Sequence, residues 1–253
     1  MLDPAPRAPS PALLHFATNL LLAGTLLVQP ASIVTCDALN DGAPMLSQIL
    51  HSRYFFWAIL ALPGIPMVMA LVSGAPAPDG RPVTEMLLHP TGEFAARFMI
   101  IAMLVTPLRM LFPKARFLAW LARRRRYLGV AAFCYALLHT VLYVADMGSL
   151  RQILAEFTAL GIWTGWAAFI LFVALAVTSN DASQRVLLQW WKRLQRLVYP
   201  AAVLTLLHWI FVHNNLGPAL VHFVPLALLE TYRIWRVFNP QSQAVPARSA
   251  ELN

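Results

Sequence analysis

The sequence predicts an all-α integral membrane protein: a bundle of six core transmembrane helices with one extra N-terminal helix. Three observations predict it. Hydrophobic residues fill 59% of the 253 positions and charged residues only 12%, against about 25% charged in soluble domains. The apolar residues are grouped, since a bilayer core about 30 Å thick needs about 20 of them per helix and several windows of that order hold no acid or base. The bases lie in short clusters between those windows, where they act as orientation signals. The formal net charge of +8 would suit nucleic acid only if the bases formed a groove interleaved with exposed aromatics. They do not, so the lipid bilayer is the expected partner and nucleic acid is not.

Residues 1–11 are rich in Pro and Ala and read as disordered. Positions 12–35 are apolar, interrupted by His15 and a few polar side chains. A signal peptide needs a basic flank and a small-residue cleavage site; only Arg7 precedes this stretch, so a retained helix is expected. Positions 54–72, 94–112, 127–145, 160–178, 197–212 and 216–234 follow as six core spans. Pro63, Pro66, Pro107 and Pro200 fall in or beside them, and membrane bundles tolerate this because neighbouring groups satisfy the freed carbonyls. The organisation is then an N-terminal segment, 1–52, a helical membrane domain, 53–236, and a disordered cytoplasmic tail, 237–253. No internal repeat is evident.

Orientation follows from the loops. Lys114, Arg116 and the run Arg123 to Arg126 occupy one connection without an acid, and Arg185, Lys192, Arg193 and Arg196 face only Asp181 in another. Both belong on the cytoplasmic side. The connection with Asp146, Arg151 and Glu156, the turn at Asn214 and Asn215, and the loop with Asp79, Arg81 and Glu85 then face outward. Arg233, Arg236 and Arg248 place the tail inside.

Cys36 and Cys134 are the only two cysteines, too few for a disulfide framework or a thiolate metal site. Of seven histidines, His15 lies in the first apolar segment, His51 and His89 are expected in loops, His213 at a helix end and His222 in the last helix. His139 and His208 remain, and an ionisable group inside a membrane span is a functional candidate by default. At 1.5 Å per residue, His139 lies about 18 Å up its helix from Tyr127 and His208 about 17 Å from Leu197. The two helices run in the same direction, so both imidazoles reach one level in the outer half of the membrane, as two axial ligands of one haem iron must.

Helix faces agree with that reading. Gly129, Ala132, Ala136 and His139 share a side at spacings of three and four, as do Ala201, Thr205 and His208. Small residues leave room for a flat macrocycle, but tight helix packing uses the same spacing, and both readings stand at this point. Zinc would need three or four converging ligands, and no acid lies at helical spacing from either histidine. Ion transport would normally use embedded acids, and the spans hold little besides Glu230 near an inner end. Phosphate-binding glycine loops, nucleophile elbows and dinucleotide fingerprints are absent.

Thr91-Gly92, Thr106-Pro107-Leu108-Arg109, Arg126-Tyr127-Leu128-Gly129, Leu138-His139, Thr178-Ser179-Asn180, Leu194-Gln195-Arg196-Leu197-Val198-Tyr199 and Leu207-His208-Trp209 occur in an order that resembles the ferric reductase-like transmembrane domain. Within it the sequence is most similar to the MsrQ/YedZ group, haem-binding membrane subunits of a bacterial methionine sulfoxide reductase system. The resemblance spans about residues 53 to 236. It implies a b-type haem held by His139 and His208, FMN as a further cofactor, and a multi-pass place in the bacterial inner membrane. Electrons would come from a cytoplasmic flavin reductase or membrane quinol and pass to a periplasmic molybdopterin reductase subunit. The competing implication inside the family is a membrane ferric reductase; outside it, a cofactor-free transporter or scaffold.

The sequence departs from the family at one telling position. A further family histidine matches Gln195, and glutamine is a poor haem ligand, so one haem is expected and a second loses its support. Electron transfer from the outer half of the membrane to the inner face then needs another carrier. Arg97, near the outer end of its helix, is a candidate cofactor-binding residue, because guanidinium pairs with a propionate in bidentate fashion; a snorkelling interfacial arginine is the competing reading. Trp163, Trp166 and Trp209 read as interface belt or core packing.

Overall fold

Pro63 sets the shape of the first expected span. In the computed structural model, which describes residues 52–74, 79–213 and 216–239, this span divides into α1 (Arg53–Ala61) and α2 (Gly64–Ser73), bent by 53° at the break. Proline has no N–H to donate and its ring crowds the preceding turn. Ser52 caps α1 by accepting the Tyr54 N–H, and Gly74 ends α2 with φ of 61°. The expected N-terminal helix at 12–35 lies outside the described residues, as does the tail beyond Asn239.

Helix α3 (Val83–Leu111) begins eleven residues before the apolar window at 94 and absorbs the expected loop. His89 is therefore helical, not in a loop. At 29 residues and 1.5 Å per residue the helix is about 43 Å long, more than the hydrocarbon core requires. Pro90 and Pro107 lie inside it. Helix α4 (Arg116–Arg123) buries none of its residues and carries the basic loop to α5 (Arg125–Met147), which Gly148 ends with φ of 65°. A short α6 (Leu150–Glu156) leads to α7 (Leu160–Val177). Two more short helices, α8 (Asp181–Leu187) and α9 (Gln189–Gln195), neither with a buried residue, lead to α10 (Val198–His213) and α11 (Leu216–Phe238).

Helices α3, α5 and α7, and α9 with α10 taken together, are long and apolar enough to cross a membrane, and the bent α1–α2 pair makes a fifth crossing if counted as one. The sixth expected span falls on α11. Its last turns carry Glu230, Arg233 and Arg236, which shortens its uninterrupted apolar part. No strand occurs among the described residues. The chain is an all-helical membrane protein.

Two helix pairs make the frame. The α3–α5 pair is the most extensively packed, and Ala95, Ala96, Ala131 and Ala132 on these helices are all buried; small side chains let two backbones approach, which is how helices gain contact where lipid is as apolar as leucine. The α7–α10 pair is packed closely enough that Gly161 lies against Phe211 and Val212, and Ala168 and Ala201 on these helices are buried. The Tyr135 hydroxyl donates to the Leu60 carbonyl at 3.1 Å, tying α5 to the bent segment. Large apolar side chains such as Ile170, Val203 and Leu228 point outward, as a lipid-facing surface requires.

Candidate functional site

His139 projects from α5 and His208 from α10, one from each helix pair, and the pairing brings them together. Their ring centroids are 6.0 Å apart and their planes stand at 83°. Both line a cavity of about 300 Å³ between the pairs, walled by Ala136, Ala168, Phe169 and Phe172 and open toward His89 and His213. That volume lies at the lower end of the usual range for small-molecule sites.

Each ring is held through the same atom. His139 Nδ1 lies 2.9 Å from the Leu88 carbonyl of α3, and His208 Nδ1 lies 2.6 Å from the Gly161 carbonyl of α7. A carbonyl only accepts, so each Nδ1 carries the proton and donates. Each Nε2 is left with its lone pair, the state a neutral imidazole needs to bind a metal, and the bond at the other nitrogen fixes ring orientation and raises ligand basicity.

These residues fit a bis-imidazole iron. Two neutral imidazoles from facing helices, each with Nδ1 engaged by a carbonyl, are the donor set that would hold such an iron through Nε2. The cavity between the rings is apolar apart from its mouth, which suits the flat face of a porphyrin. Zinc-type chemistry has no comparable support: no group of three or more His, Cys, Asp or Glu that could hold a metal occurs among the described residues.

Polar side chains gather at the mouth. His89 Nδ1 and His213 Nε2 share a hydrogen bond at 3.2 Å, and Glu93 lies 3.9 Å from His89. His89, Glu93 and His213 line the cavity. Arg97 does not; its guanidinium donates to Glu93 and, through Nε at 3.2 Å, to His222 Nε2. His222 can accept there because its Nδ1 donates to the Pro218 carbonyl at 2.7 Å. The structure thus places Arg97 one side chain back from the opening, with Glu93 in front of it. Trp209 is buried and packs near His222 with centroids 5.3 Å apart.

A second cavity, of about 810 Å³, lies at the basic end of the bundle. Arg109, Arg123, Arg125, Arg126, Arg196 and Gln195 are among its lining residues. The Gln195 amide donates to Thr178 Oγ1 at 3.2 Å and toward the Leu175 carbonyl at 3.4 Å, fastening α9 to the end of α7. No histidine lines this cavity. Two of its cations are already paired, Arg126 with Asp181 and Arg233 with Glu230.

Sequence reasoning found both central histidines but missed what holds them. The Leu88 and Gly161 carbonyls are main-chain groups, and residue type does not advertise a main-chain acceptor. The available signal was the position of Thr91-Gly92 and Thr164-Gly165, discussed below.

The family described as ferric reductase like transmembrane component matches residues 91–206, a stretch that contains Gly92, His139 and Gly165 and ends two residues before His208. The chain is 36% identical over 183 residues to the protein-methionine-sulfoxide reductase heme-binding subunit MsrQ of Xanthomonas oryzae pv. oryzae, covering 71% of this chain and 82% of that one. It is 35% identical over 197 residues to the subunit of the same description from Rhizobium meliloti, covering 76% and 88%. No solved structure matches the chain.

Proposed function

Since the chain belongs to the MsrQ family of haem-binding membrane subunits, we propose that it carries electrons across the bilayer through one b-type haem held by His139 and His208. The observation that carries this reading is the pair of imidazoles from separate helices, 6.0 Å apart, each with Nδ1 committed to a carbonyl and Nε2 free. The haem-binding unit is residues 53–236.

Haem iron supplies a one-electron carrier there, tuned by its axial ligands and surroundings. The chain's residues do the rest. His139 and His208 fix the plane and position of the group. Ala136, Ala168 and Phe172 keep the cavity apolar and hold water away from it. His89 and His213, at the mouth, are the side chains best placed to receive anionic substituents, while Arg97 balances Glu93 behind them.

The inner membrane is the location, a periplasmic molybdopterin methionine sulfoxide reductase the acceptor, and a cytoplasmic flavin reductase or quinol the donor. The names of the relatives support a methionine sulfoxide reductase as the acceptor. Gln195, in place of a family histidine, supports a single haem, and FMN is the further carrier this reading places toward the basic end.

The test is a reduced-minus-oxidised spectrum of the purified full-length protein with haem and flavin quantified. One haem per chain is expected, lost in His139→Ala and in His208→Ala and kept in Gln195→Ala. Full haem content in either histidine variant would overturn the ligand assignment, and a colourless protein would favour a transporter or scaffold. Reduction of ferric chelates without any periplasmic partner would favour the ferric reductase reading.

A further inference from the structure

The two histidines are seated on two copies of one short device. In α3 the hexapeptide from Leu87 to Gly92 has the form Leu-x-x-x-Thr-Gly, and in α7 the hexapeptide from Leu160 to Gly165 has the same form. In each, the carbonyl that receives the histidine N–H belongs to the second residue, Leu88 or Gly161. The threonine hydroxyl reaches the same carbonyl, at 2.9 Å from Thr91 and 3.0 Å from Thr164, and also the one before it, Leu87 or Leu160, at 2.7 Å in both; in the α3 copy alone the Thr91 hydroxyl oxygen also stands 3.4 Å from His139 Nδ1, where it can accept a weak share of the imidazole N–H. Both threonines are almost wholly buried.

The glycine of each copy lies under the ring. A Cβ built on Gly92 would stand 3.1 Å from His139 Cε1 and Nδ1; one built on Gly165 would stand 2.6 Å from His208 Nδ1 and 2.8 Å from Cε1. The second distance is shorter than real Cβ contacts, so an added methyl would force His208 to move. Gly129 provides the contrast: despite sharing a helix side with His139 in the sequence it lines the second cavity and not this one, and a Cβ there meets nothing.

We propose that Thr91-Gly92 and Thr164-Gly165 are positioning residues for the two haem ligands: the glycines set where each imidazole sits, and the threonines set how strongly its Nδ1–H bond is accepted. The proposal rests on the haem reading above. Its logic is electronic as well as steric. A hydroxyl already donating to a carbonyl makes that oxygen a weaker acceptor for the imidazole N–H. Removing the hydroxyl strengthens the N–H···O bond, makes the ring more electron-donating at Nε2 and stabilises the oxidised iron, lowering the reduction potential.

The experiment compares the unsubstituted full chain with Gly92→Ala, Gly165→Ala, Gly129→Ala, and Thr91→Val and Thr164→Val with their Thr→Ser counterparts. Low-spin ferric resonances and the midpoint potential are read on haem-loaded protein. Gly165→Ala is expected to convert more than half of the low-spin signal to high-spin, Gly92→Ala to shift it without loss, and Gly129→Ala to leave it unchanged. Thr164→Val is expected to lower the potential and Thr91→Val to lower it less, since Thr91→Val also removes the weak second acceptor of His139 Nδ1–H; both serine variants are expected to restore it. An unaltered low-spin signal in Gly165→Ala would overturn the role of the glycine. Unaltered potentials in both valine variants would overturn that of the threonines, and this arm decides if Gly165→Ala does not accumulate. A haem-free unsubstituted protein is a separate outcome, which removes the haem reading and this inference with it.

Discussion

The imidazole planes of His139 and His208 stand at 83° to each other, although both rings are anchored by the same kind of bond. The anchors lie on different helices, Leu88 of α3 and Gly161 of α7, and the angle between the planes follows from how the two helix pairs face one another. If both rings ligate one haem iron, as proposed, near-perpendicular ligand planes would bring two iron d orbitals close in energy and give the low-spin ferric protein a strongly anisotropic magnetic response. A single large-g resonance is expected at low temperature in the oxidised protein. A rhombic spectrum with three well-spread features would show that the planes lie nearly parallel.

The histidines at the mouth should behave differently from the pair below them. His89→Ala and His213→Ala each break the 3.2 Å bond between those rings and remove a partner for the anionic substituents but leave both Nδ1 anchors intact, so haem retention is expected to weaken without the near-complete loss expected of His139→Ala. The same holds for His222→Ala, whose ring is bound to Arg97 and Pro218. Haem-to-protein ratios measured across all five histidine variants check this. Loss of haem in His89→Ala or His213→Ala comparable to that in His139→Ala would place a ligand at the mouth.

Tyr135→Phe removes the hydroxyl that donates to the Leu60 carbonyl, leaving a buried acceptor beside the bend at Pro63. A cost of about 1–2 kcal/mol is expected, read as a lower thermal midpoint in detergent with unchanged haem spectrum. The bond joins α5 to α1, away from the ligand rings, so stability and spectrum should separate.

Much of this was legible in the residues. Composition and grouping of apolar positions were enough for an all-helical membrane protein, because hydrocarbon leaves the backbone no hydrogen-bond partner outside the helix. Depth counting put His139 and His208 at one level, because helix rise is constant. Reading failed where main-chain continuity outran hydropathy. The polar stretch from Thr84 to Glu93 resembles a loop, yet it is the first part of α3, and His89 is carried to the mouth by it.

Apolar run length, charge placement and rise per residue are one-dimensional quantities, so the residues were enough for the membrane class, most of the helical segments and the common level of His139 and His208 along their helices. Only the tertiary structure decided the ring separation and angle, the seating of each imidazole on a backbone carbonyl, and the pairing of Arg97 with Glu93 and His222 instead of the cavity. The physical reason is that a helix face is marked by side chains, whereas the acceptors that orient these rings are carbonyls, common to every residue and distinguished only by which neighbour packs against them.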